Sequence, residues 1–260
     1  MRLPDIGMKV PAIGKLLGGI DPAQIVEEAE KLRWYHCLRL TRDYYTPGLT
    51  GFSLETPDWE TTYQFPSRKD LKGKTLLDIG TMNGIMAYEA ERRGASRVLA
   101  IDRDPPAFPD AREAFELAGR ALRSKVVSYE GLSIYELDPA ERGQFDFVLL
   151  YGVLYHLKFP LLGLYRAARV CTEQLIVETH VTTHDDLEQP MMLFYPGSEL
   201  NGERTNWWGP NPRAVDAMME HLGFEVIGRA LAEQNVQGFQ PGRYTARCRR
   251  VGPTPDPWEM

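Results

Sequence analysis

Residues 75–102 hold the feature that most constrains the fold, a strand, glycine turn, helix and strand in succession. An apolar run over Thr75–Ile79 ends in the turn Gly80–Gly84, a helix follows, and a second apolar run ends at Asp102. Glycine lets the backbone turn tightly and lets a ligand approach where side chains would exclude it. Asp102 comes about 20 residues after the turn, the usual distance for a carboxylate that accepts both ribose hydroxyls of an adenosine. The unit therefore predicts a nucleotide-binding βαβ fold.

Two details of the turn favour S-adenosylmethionine over a nicotinamide dinucleotide. A dinucleotide fingerprint places its glycines so that a helix N-terminus meets a pyrophosphate. The run that starts at Gly80 lacks the middle glycine and has Ala87 at the third position. Asp78, just before the turn, would repel a pyrophosphate but would attract, directly or through water, the ammonium of S-adenosylmethionine. The alternative is a plain β-turn-α connection whose aspartate caps the helix.

The rest of the core alternates strands and helices. The continuous apolar run 145–150 is typical of a central parallel strand covered on both faces. We expect an α/β fold with a doubly wound, seven-stranded, mostly parallel sheet that binds its ligand at the carboxyl ends of the strands. Beyond residue 102 the pattern predicts helices over 109–122, 161–170 and 212–223, and strands over 125–129, 145–150, 174–178, 224–230 and 244–251, the last two as closing antiparallel strands.

The flanking segments complete the predicted organisation. Residues 21–33 have a capping aspartate, a first-position proline and one apolar face, which predicts an amphipathic helix. The aromatic-rich segment 34–66 is long and without clear periodicity, and such connections are often functional lids. The predicted units are an N-terminal helix and lid (1–66), a ligand-binding domain (67–251) with an insert (180–211) contributing to the substrate pocket, and a tail (252–260).

Composition argues against several classes of protein. The net charge of −6 gives no general attraction to nucleic acid. The sequence has no run of 18 apolar residues, so it predicts no membrane span. The start of the chain is not organised as a signal peptide. The three cysteines are odd in number and widely spaced, so they predict neither a disulfide framework nor a zinc cluster, and a reducing cytoplasm is the expected location. The arginines between 243 and 250 have two interpretations, a local basic groove or a charged terminal strand with solvated side chains.

Several motifs together resemble those of class I S-adenosylmethionine-dependent methyltransferases. More narrowly, the chain resembles the family of the tRNA wobble-uridine carboxymethyltransferase and its relatives. The Gly-Val-Leu-Tyr-His segment (152–156) is more specific than the glycine turn. The resemblance covers residues 34–235, and its motifs are Leu-Leu-Asp-Ile-Gly-Thr-Met-Asn-Gly (76–84), Gly-Ala-Ser-Arg-Val-Leu-Ala-Ile-Asp (94–102), the run 145–157, Val-Glu-Thr-His (177–180) and the run 194–201.

The resemblance implies how S-adenosylmethionine would be held. Gly80 would pack under it and Asp102 would bind its ribose, while two residues after the third strand would flank the adenine. Tyr151, Gly152 and Tyr155 would line the cleft beyond the fourth strand. The predicted cofactor-binding residues are Asp78, Gly80, Thr81, Gly84, Asp102, Arg103, Ser133, Ile134, Tyr151 and Gly152.

One part of the resembled enzyme has no counterpart in the sequence. That enzyme uses a carboxylated cofactor held in part by a lysine and arginines, but the segment 44–50 has no lysine, and 233–242 does not clearly match the arginine-rich ending. A carboxylate buried without a cation is costly. We therefore expect ordinary S-adenosylmethionine and a small-molecule acceptor methylated on O, N or C. The alternatives are a tRNA wobble uridine as acceptor, a non-catalytic cofactor-binding scaffold, and a nicotinamide oxidoreductase.

Three residues are candidates for catalysis. His156 follows the fourth strand, where the acceptor should approach, although it could instead bond to backbone and order the loop. His180 follows the fifth strand at the same edge of the sheet. Tyr155 could hydrogen-bond to acceptor or cofactor, or merely pack. A general base at such a position adds roughly 10²–10⁴-fold to the rate when the acceptor carries a proton.

The candidate substrate residues are aromatic or polar. Trp207 and Trp208, with Asn206 beside them, could form a flat apolar wall for a ring or cage a cation, or could anchor the insert. His36 is a further candidate for the cleft.

Acidic and histidine residues near the fifth strand raise the question of a metal site. His180 and His184 would need a helix to share a face, and the residues between them are typical of a turn. Together with Glu178, Asp185 and Asp186 they therefore predict no metal site. The oligomeric state is left open.

Overall fold

The computed structural model describes residues 21–103, 108–182, 189–233 and 241–256, and in them a seven-stranded sheet carries helices on both faces. The strands are β1 (Thr75–Ile79), β2 (Arg97–Asp102), β3 (Val127–Gly131), β4 (Phe145–Tyr151), β5 (Cys171–Thr182), β6 (Met192–Phe194), β7 (Trp208–Pro210), β8 (Phe224–Glu233) and β9 (Pro241–Arg250). The helices are α1 (Pro22–Ala29), α2 (Trp59–Thr62), α3 (Arg68–Leu71), α4 (Ile85–Arg92), α5 (Ala111–Leu122), α6 (Pro139–Arg142), α7 (Pro160–Val170) and α8 (Pro212–His221), with 3₁₀ turns at Ile134–Glu136 and Leu154–His156.

The order of the strands confirms the predicted doubly wound topology. The sheet runs β3-β2-β1-β4-β5-β9-β8, and β6 and β7 form a separate two-stranded sheet. The first five strands pair in parallel. The two closing strands are antiparallel, since β9 pairs with β5 and β8 with β9. The chain runs from β1 through β2 to β3 on one side of β1 and then crosses back to place β4 on the other side. The strand order therefore reverses between β1 and β4, and doubly wound folds bind ligands at the carboxyl ends of the strands at such a point.

Helices cover both faces of the sheet, which explains why its central strands are continuously apolar. One buried cluster joins the sheet to α7 and α8 through side chains such as Leu164 and Met219. The other joins it to α1, α4 and α5 through side chains such as Ile25, Ala87 and Leu117. A strand packed on both sides has no polar face, so its sequence does not alternate.

The main correction to the predicted boundaries concerns β5 and the insert. β5 does not end at Glu178 but continues to Thr182, because its last residues keep pairing with β9, as His180 does with Arg243. His180, predicted to begin a loop insert, is therefore a strand residue. The remainder of the insert carries the β6–β7 hairpin, in which Leu193 faces Gly209.

The segment before the sheet is irregular over most of its length. The predicted helix 21–33 ends at Ala29, whose carbonyl accepts a hydrogen bond of 2.9 Å from the indole of Trp34. From there to residue 66 the chain forms a layer of aromatic side chains with the short helix α2. Among the residues that the structure describes, no helix has the length and apolar character needed to cross a membrane.

Candidate active site

The glycine turn joins β1 to α4 at the carboxyl edge of the sheet. The N–H groups of Gly80 and Thr81 both donate to the carbonyl of Ile101 on β2, at 2.9 and 3.2 Å. Gly80 and Gly84 have φ values of +77° and +83°, which glycine adopts without strain. Backbone conformation is therefore by itself enough to favour glycine at these two positions.

Packing gives a second reason for both glycines. A Cβ on Gly84 would lie 2.6 Å from the ring of Tyr88 and 2.7 Å from that of Phe115. A Cβ on Gly80 would lie 2.3 Å from a methyl of Val153, in the loop after β4. The absence of side chains thus lets the turn pack against neighbouring elements, in addition to the approach of a ligand that the sequence suggested.

Two aspartates flank the turn. Asp102 accepts hydrogen bonds from the backbone N–H groups of Met82 (2.8 Å) and Arg103 (2.7 Å). Asp78 is buried and accepts a bond of 2.7 Å from the hydroxyl of Thr81. Burial, with a smaller contribution from Asp102, raises the pKa of Asp78 to about 7.

This arrangement fits S-adenosylmethionine. Within the described part of the chain Asp78 forms no ion pair, although a buried carboxylate is costly without a compensating cation. The sulfonium and ammonium groups of that molecule carry such charge. A pyrophosphate would instead add negative charge beside two carboxyl groups. Asp78, Gly80, Thr81, Gly84, Asp102 and Arg103 therefore lie together around one turn, as expected for a cofactor site.

The other predicted cofactor residues lie on neighbouring loops. Ser133 caps the 3₁₀ turn after β3, and Ile134 is buried in the core cluster on the α7 side of the sheet. Tyr151 ends β4, and its hydroxyl donates to the carbonyl of Tyr63 at 2.8 Å. The N–H of Gly152 donates to the carbonyl of Glu178 at 3.0 Å. Tyr151 thereby links the N-terminal aromatic segment to the end of the central strand.

A largely buried ion pair lies beside Gly152 at the carboxyl end of β5. Arg243 on β9 donates two hydrogen bonds to Glu178 on β5, of 2.5 and 2.6 Å. Its guanidinium also lies 5.1 Å from the ring centre of Tyr155. This pair is not among the residues predicted for the site. The pattern of residues carries no direct signal for it, because Glu178 and Arg243 are brought together only by the pairing of β5 with β9.

The two candidate histidines have different surroundings. The Nδ1 of His156 lies 3.0 Å from the carbonyl of Thr205, which fits the interpretation that it orders the loop. The Nε2 of His180 lies 3.2 Å from the hydroxyl of Tyr195. Burial, followed by the positive charge of Arg243, lowers the pKa of His180 to about 4. His180 is therefore neutral at pH 7. The ring of Tyr155 lies between the two, 4.2 Å from His156 and 6.1 Å from His180 between centroids.

The candidate substrate residues differ in their contacts. Trp207 donates its backbone N–H to the carbonyl of Tyr155 at 2.8 Å, which places β7 beside the catalytic candidates. Trp208 instead packs on Phe194 of the same hairpin, 5.0 Å between ring centroids. The side-chain amide of Asn206 is buried and donates to a backbone carbonyl, which is a structural contact.

His36 belongs to the aromatic N-terminal segment. Its ring contacts those of Tyr35 and Phe52, with centroids 4.8 and 5.7 Å away. Its Nδ1 is buried and has no hydrogen-bond partner in the described structure, and burial lowers its pKa to about 4. The backbone N–H of Tyr35 is bonded to Asn83 of the glycine turn. The N-terminal segment thus contacts the predicted cofactor site directly, a role of Tyr35 and Asn83 that the sequence analysis missed.

The described residues contain no cluster of three or more side chains suited to a metal ion. His184, Asp185 and Asp186, which the sequence analysis considered for a metal site, lie outside the described residues.

Comparison with known proteins places the chain in a family. The family described as "Methyltransferase domain" matches residues 56–228. The tRNA U34 carboxymethyltransferase of Dichelobacter nodosus is 30% identical over 186 residues, which cover 68% of this chain and 55% of that protein. The same enzyme from Geobacter sp. is 29% identical over 188 residues, covering 68% and 54%. The chain thus spans about half the length of the curated relatives it matches.

A solved structure supports the fold. The N-terminal domain of EvdMO1 with SAH bound superposes with a TM-score of 0.64 at 19% identity, covering 89% of this chain and 98% of that one. These findings confirm the predicted fold, the predicted resemblance to the tRNA carboxymethyltransferase family and the predicted class of enzyme. The chain belongs to the methyltransferase domain family, whose methyl donor is S-adenosylmethionine.

Proposed function

We propose that this protein transfers a methyl group from S-adenosylmethionine to a small-molecule acceptor bound between the glycine turn and β5. The observation that carries the proposal is the buried carboxyl of Asp78 beside the turn, which lacks a partner cation among the described residues. S-adenosylmethionine supplies a methyl carbon already activated by a positive sulfonium. The chain's own residues then have to bind, align and exclude water.

Positioning is the main contribution expected from the protein. Holding acceptor and methyl group in line is worth roughly 7–11 kcal/mol of the barrier. Asp102 would hold the ribose and Asp78 the cationic end, while Tyr151 and Gly152 line the wall that leads to the acceptor. The aromatic N-terminal segment, fastened to the turn at Asn83 and to β4 at Tyr151, would exclude water from the reacting atoms.

The contacts of the C-terminal arginines support a small acceptor over a nucleic acid. A nucleic-acid surface needs cationic side chains free to meet phosphates. The arginines between 243 and 250, considered above for a basic groove, are engaged within the chain: Arg243 with Glu178, Arg247 with Gln174 and Asp70, Arg249 with Glu225, and Arg250 with the backbone carbonyls of Cys171 and Gly252.

The tRNA wobble uridine is the second candidate acceptor. The similarity to tRNA U34 carboxymethyltransferases favours it, as does the cation of Arg243 at the cleft. However, the charge of Arg243 is balanced by the bidentate contact to Glu178. A carboxylated cofactor would therefore meet a neutral pair rather than a free cation, and so we propose the ordinary methyl donor.

We also propose a cytoplasmic location, consistent with the free cysteines.

Titration calorimetry with S-adenosylmethionine, S-adenosylhomocysteine, carboxy-S-adenosylmethionine and NAD tests the proposal. We expect binding of the first two, and weakening by roughly 2–3 kcal/mol in Asp102→Ala, which loses charge-assisted hydrogen bonds to the ribose. Lys125→Ala is the control and should bind normally, because Lys125 precedes β3 at the amino ends of the parallel strands. A marked preference for the carboxylated cofactor would favour tRNA modification. Binding of NAD alone, or of none, would refute the assignment.

A further inference from the structure

A buried hydrogen-bonded chain runs from β5 into the insert. The hydroxyl of Tyr195 lies 3.0 Å from the hydroxyl of Thr182 and 3.2 Å from the Nε2 of His180. All three side chains are buried. β7 closes over them at Gly209, where a Cβ would lie 2.4 Å from the Thr182 hydroxyl and 2.6 Å from that of Tyr195. The hairpin thus has a glycine at a position where a side chain would break the chain of hydrogen bonds.

The chemistry of the three groups sets the direction of the hydrogen bonds. A neutral imidazole has one N–H and one lone-pair nitrogen, and the partner of one nitrogen decides the state of the other. A phenol is a better donor than an aliphatic hydroxyl, and an imidazole nitrogen is a better acceptor than either. The favoured arrangement therefore has Thr182 donating to Tyr195, and Tyr195 donating to the Nε2 of His180. The proton of the imidazole is then on Nδ1.

The electrostatic surroundings keep His180 neutral. His180 and Arg243 face each other across β5 and β9. Burial, together with the charge of the guanidinium, lowers the pKa of the imidazole to about 4. A general base works best when its pKa is near the working pH. His180 is thus a poor proton acceptor at pH 7, but it offers an N–H at every pH above its own titration. Its Nδ1 has no hydrogen-bond partner among the described residues.

We infer that His180 is a fixed hydrogen-bond donor to the methyl acceptor, held in the Nδ1–H tautomer by Tyr195 and Thr182. This inference rests on the proposed methyl transfer and narrows its acceptor to molecules with an oxygen lone pair, such as a carbonyl or a phenolate, next to the methylated atom. It replaces the role of general base that the sequence analysis considered for His180. Tyr195 and Thr182 are positioning residues, since they act on the acceptor only through the imidazole.

Long-range ¹H–¹⁵N spectra of the full chain test the tautomer without any acceptor, because protonated and unprotonated ring nitrogens have well-separated ¹⁵N shifts. His180 is assigned by the loss of its signals in His180→Asn. At pH 7 we expect Nδ1 protonated and Nε2 unprotonated. In Tyr195→Phe, which removes only the hydroxyl, we expect the Nε2–H tautomer to become populated, whereas Tyr45→Phe on the exposed N-terminal segment should change nothing. A proton on Nε2 in the native protein, or an unaltered tautomer in Tyr195→Phe, would overturn the inference.

A pair of substitutions at His180 tests the donor in catalysis. The side-chain amide of Asn places an N–H near the position of Nδ1, whereas that of Gln reaches the position of Nε2. With labelled S-adenosylmethionine and a filtered small-molecule extract as the acceptor probe, we expect His180→Asn to keep label transfer within about tenfold of native and His180→Gln to lose at least a further tenfold. Equal loss in both variants would overturn the role of Nδ1–H as a donor to the acceptor. Absence of transfer by the native protein would count against the proposed function, while the tautomer measurement would still decide this inference.

Discussion

The backbone N–H of Tyr35 donates a hydrogen bond of 2.6 Å to the side-chain Oδ1 of Asn83. Asn83 is completely buried within the glycine turn. Tyr35 belongs to the N-terminal segment, 48 residues away along the chain. One amide side chain therefore links the N-terminal segment to the turn that is expected to hold the cofactor. A ligand that moves the turn must therefore also move or break the hydrogen bond between Asn83 and Tyr35.

Replacement of Asn83 by Ala should loosen the N-terminal segment. The variant leaves the N–H of Tyr35 without its acceptor, at a cost of about 1–3 kcal/mol. We expect faster hydrogen exchange at the Tyr35 amide than in the native chain. Thr50→Val is the control, because Thr50 bonds to the carbonyl of the same residue through an exposed hydroxyl. If both variants exchange alike, Asn83 does not fasten the segment.

Cofactor binding should release a proton from Asp78. The pKa of this carboxyl is about 7 in the ligand-free chain because of its burial. A cationic ligand favours the carboxylate and lowers this pKa. At pH 7 we therefore expect calorimetry of S-adenosylmethionine in buffers of different ionisation enthalpy to detect release of roughly half a proton. Asp78→Asn should abolish the release. Native protein with no buffer-dependent heat would contradict the prediction.

The same carboxyl should make the ligand-free protein less stable as pH rises. Its folded-state pKa of about 7 lies above the ordinary value of 3.8, so the folded state binds the proton more tightly than the unfolded state. The contribution of this carboxyl to the free energy of unfolding therefore falls as the pH rises from 3.8 to about 7, and it levels off above pH 7. Urea titrations of native protein and Asp78→Asn at pH 5 and pH 8 should show Asn gaining stability relative to native at pH 8. A difference that is the same at both pH values would exclude this effect.

The Glu178–Arg243 pair should be costly to break from either side. Removal of one partner of a buried ion pair leaves an uncompensated charge, which typically costs 3–5 kcal/mol. We expect Glu178→Gln and Arg243→Met to lower the free energy of unfolding by about this amount, and the double variant to lose less than the sum. Glu225→Gln removes a partner of Arg249 at the exposed edge and should cost under about 1 kcal/mol. Additive losses in the double variant would show that the two residues do not depend on each other.

The sequence predicted the parts of the structure that depend on local pattern. The glycine turn, Asp102 and the alternation of strands and helices follow from apolar periodicity and residue spacing, which act over short stretches of chain. The extent of β5 was mispredicted because β9, some 65 residues away, supplies the pairing that carries β5 past Glu178. The contact of Tyr195 with His180 likewise depends on how the insert folds back over β5. Such contacts between distant segments leave no periodic signal in one sequence.

The two structural reasons for glycine at position 84, backbone conformation and close packing, can be separated by a pair of alanine substitutions. Gly84 and Gly73 both have positive φ, at +83° and +76°. A Cβ on Gly84 would meet the rings of Tyr88 and Phe115 at under 3 Å, whereas a Cβ on Gly73 would meet nothing within 4 Å. Gly73→Ala should therefore cost only the backbone strain of about 1–2 kcal/mol, and Gly84→Ala should cost at least 1 kcal/mol more through overpacking. Urea denaturation compares the two. Equal losses would mean that backbone conformation alone requires glycine at position 84, and that the aromatic rings of α4 and α5 can move aside.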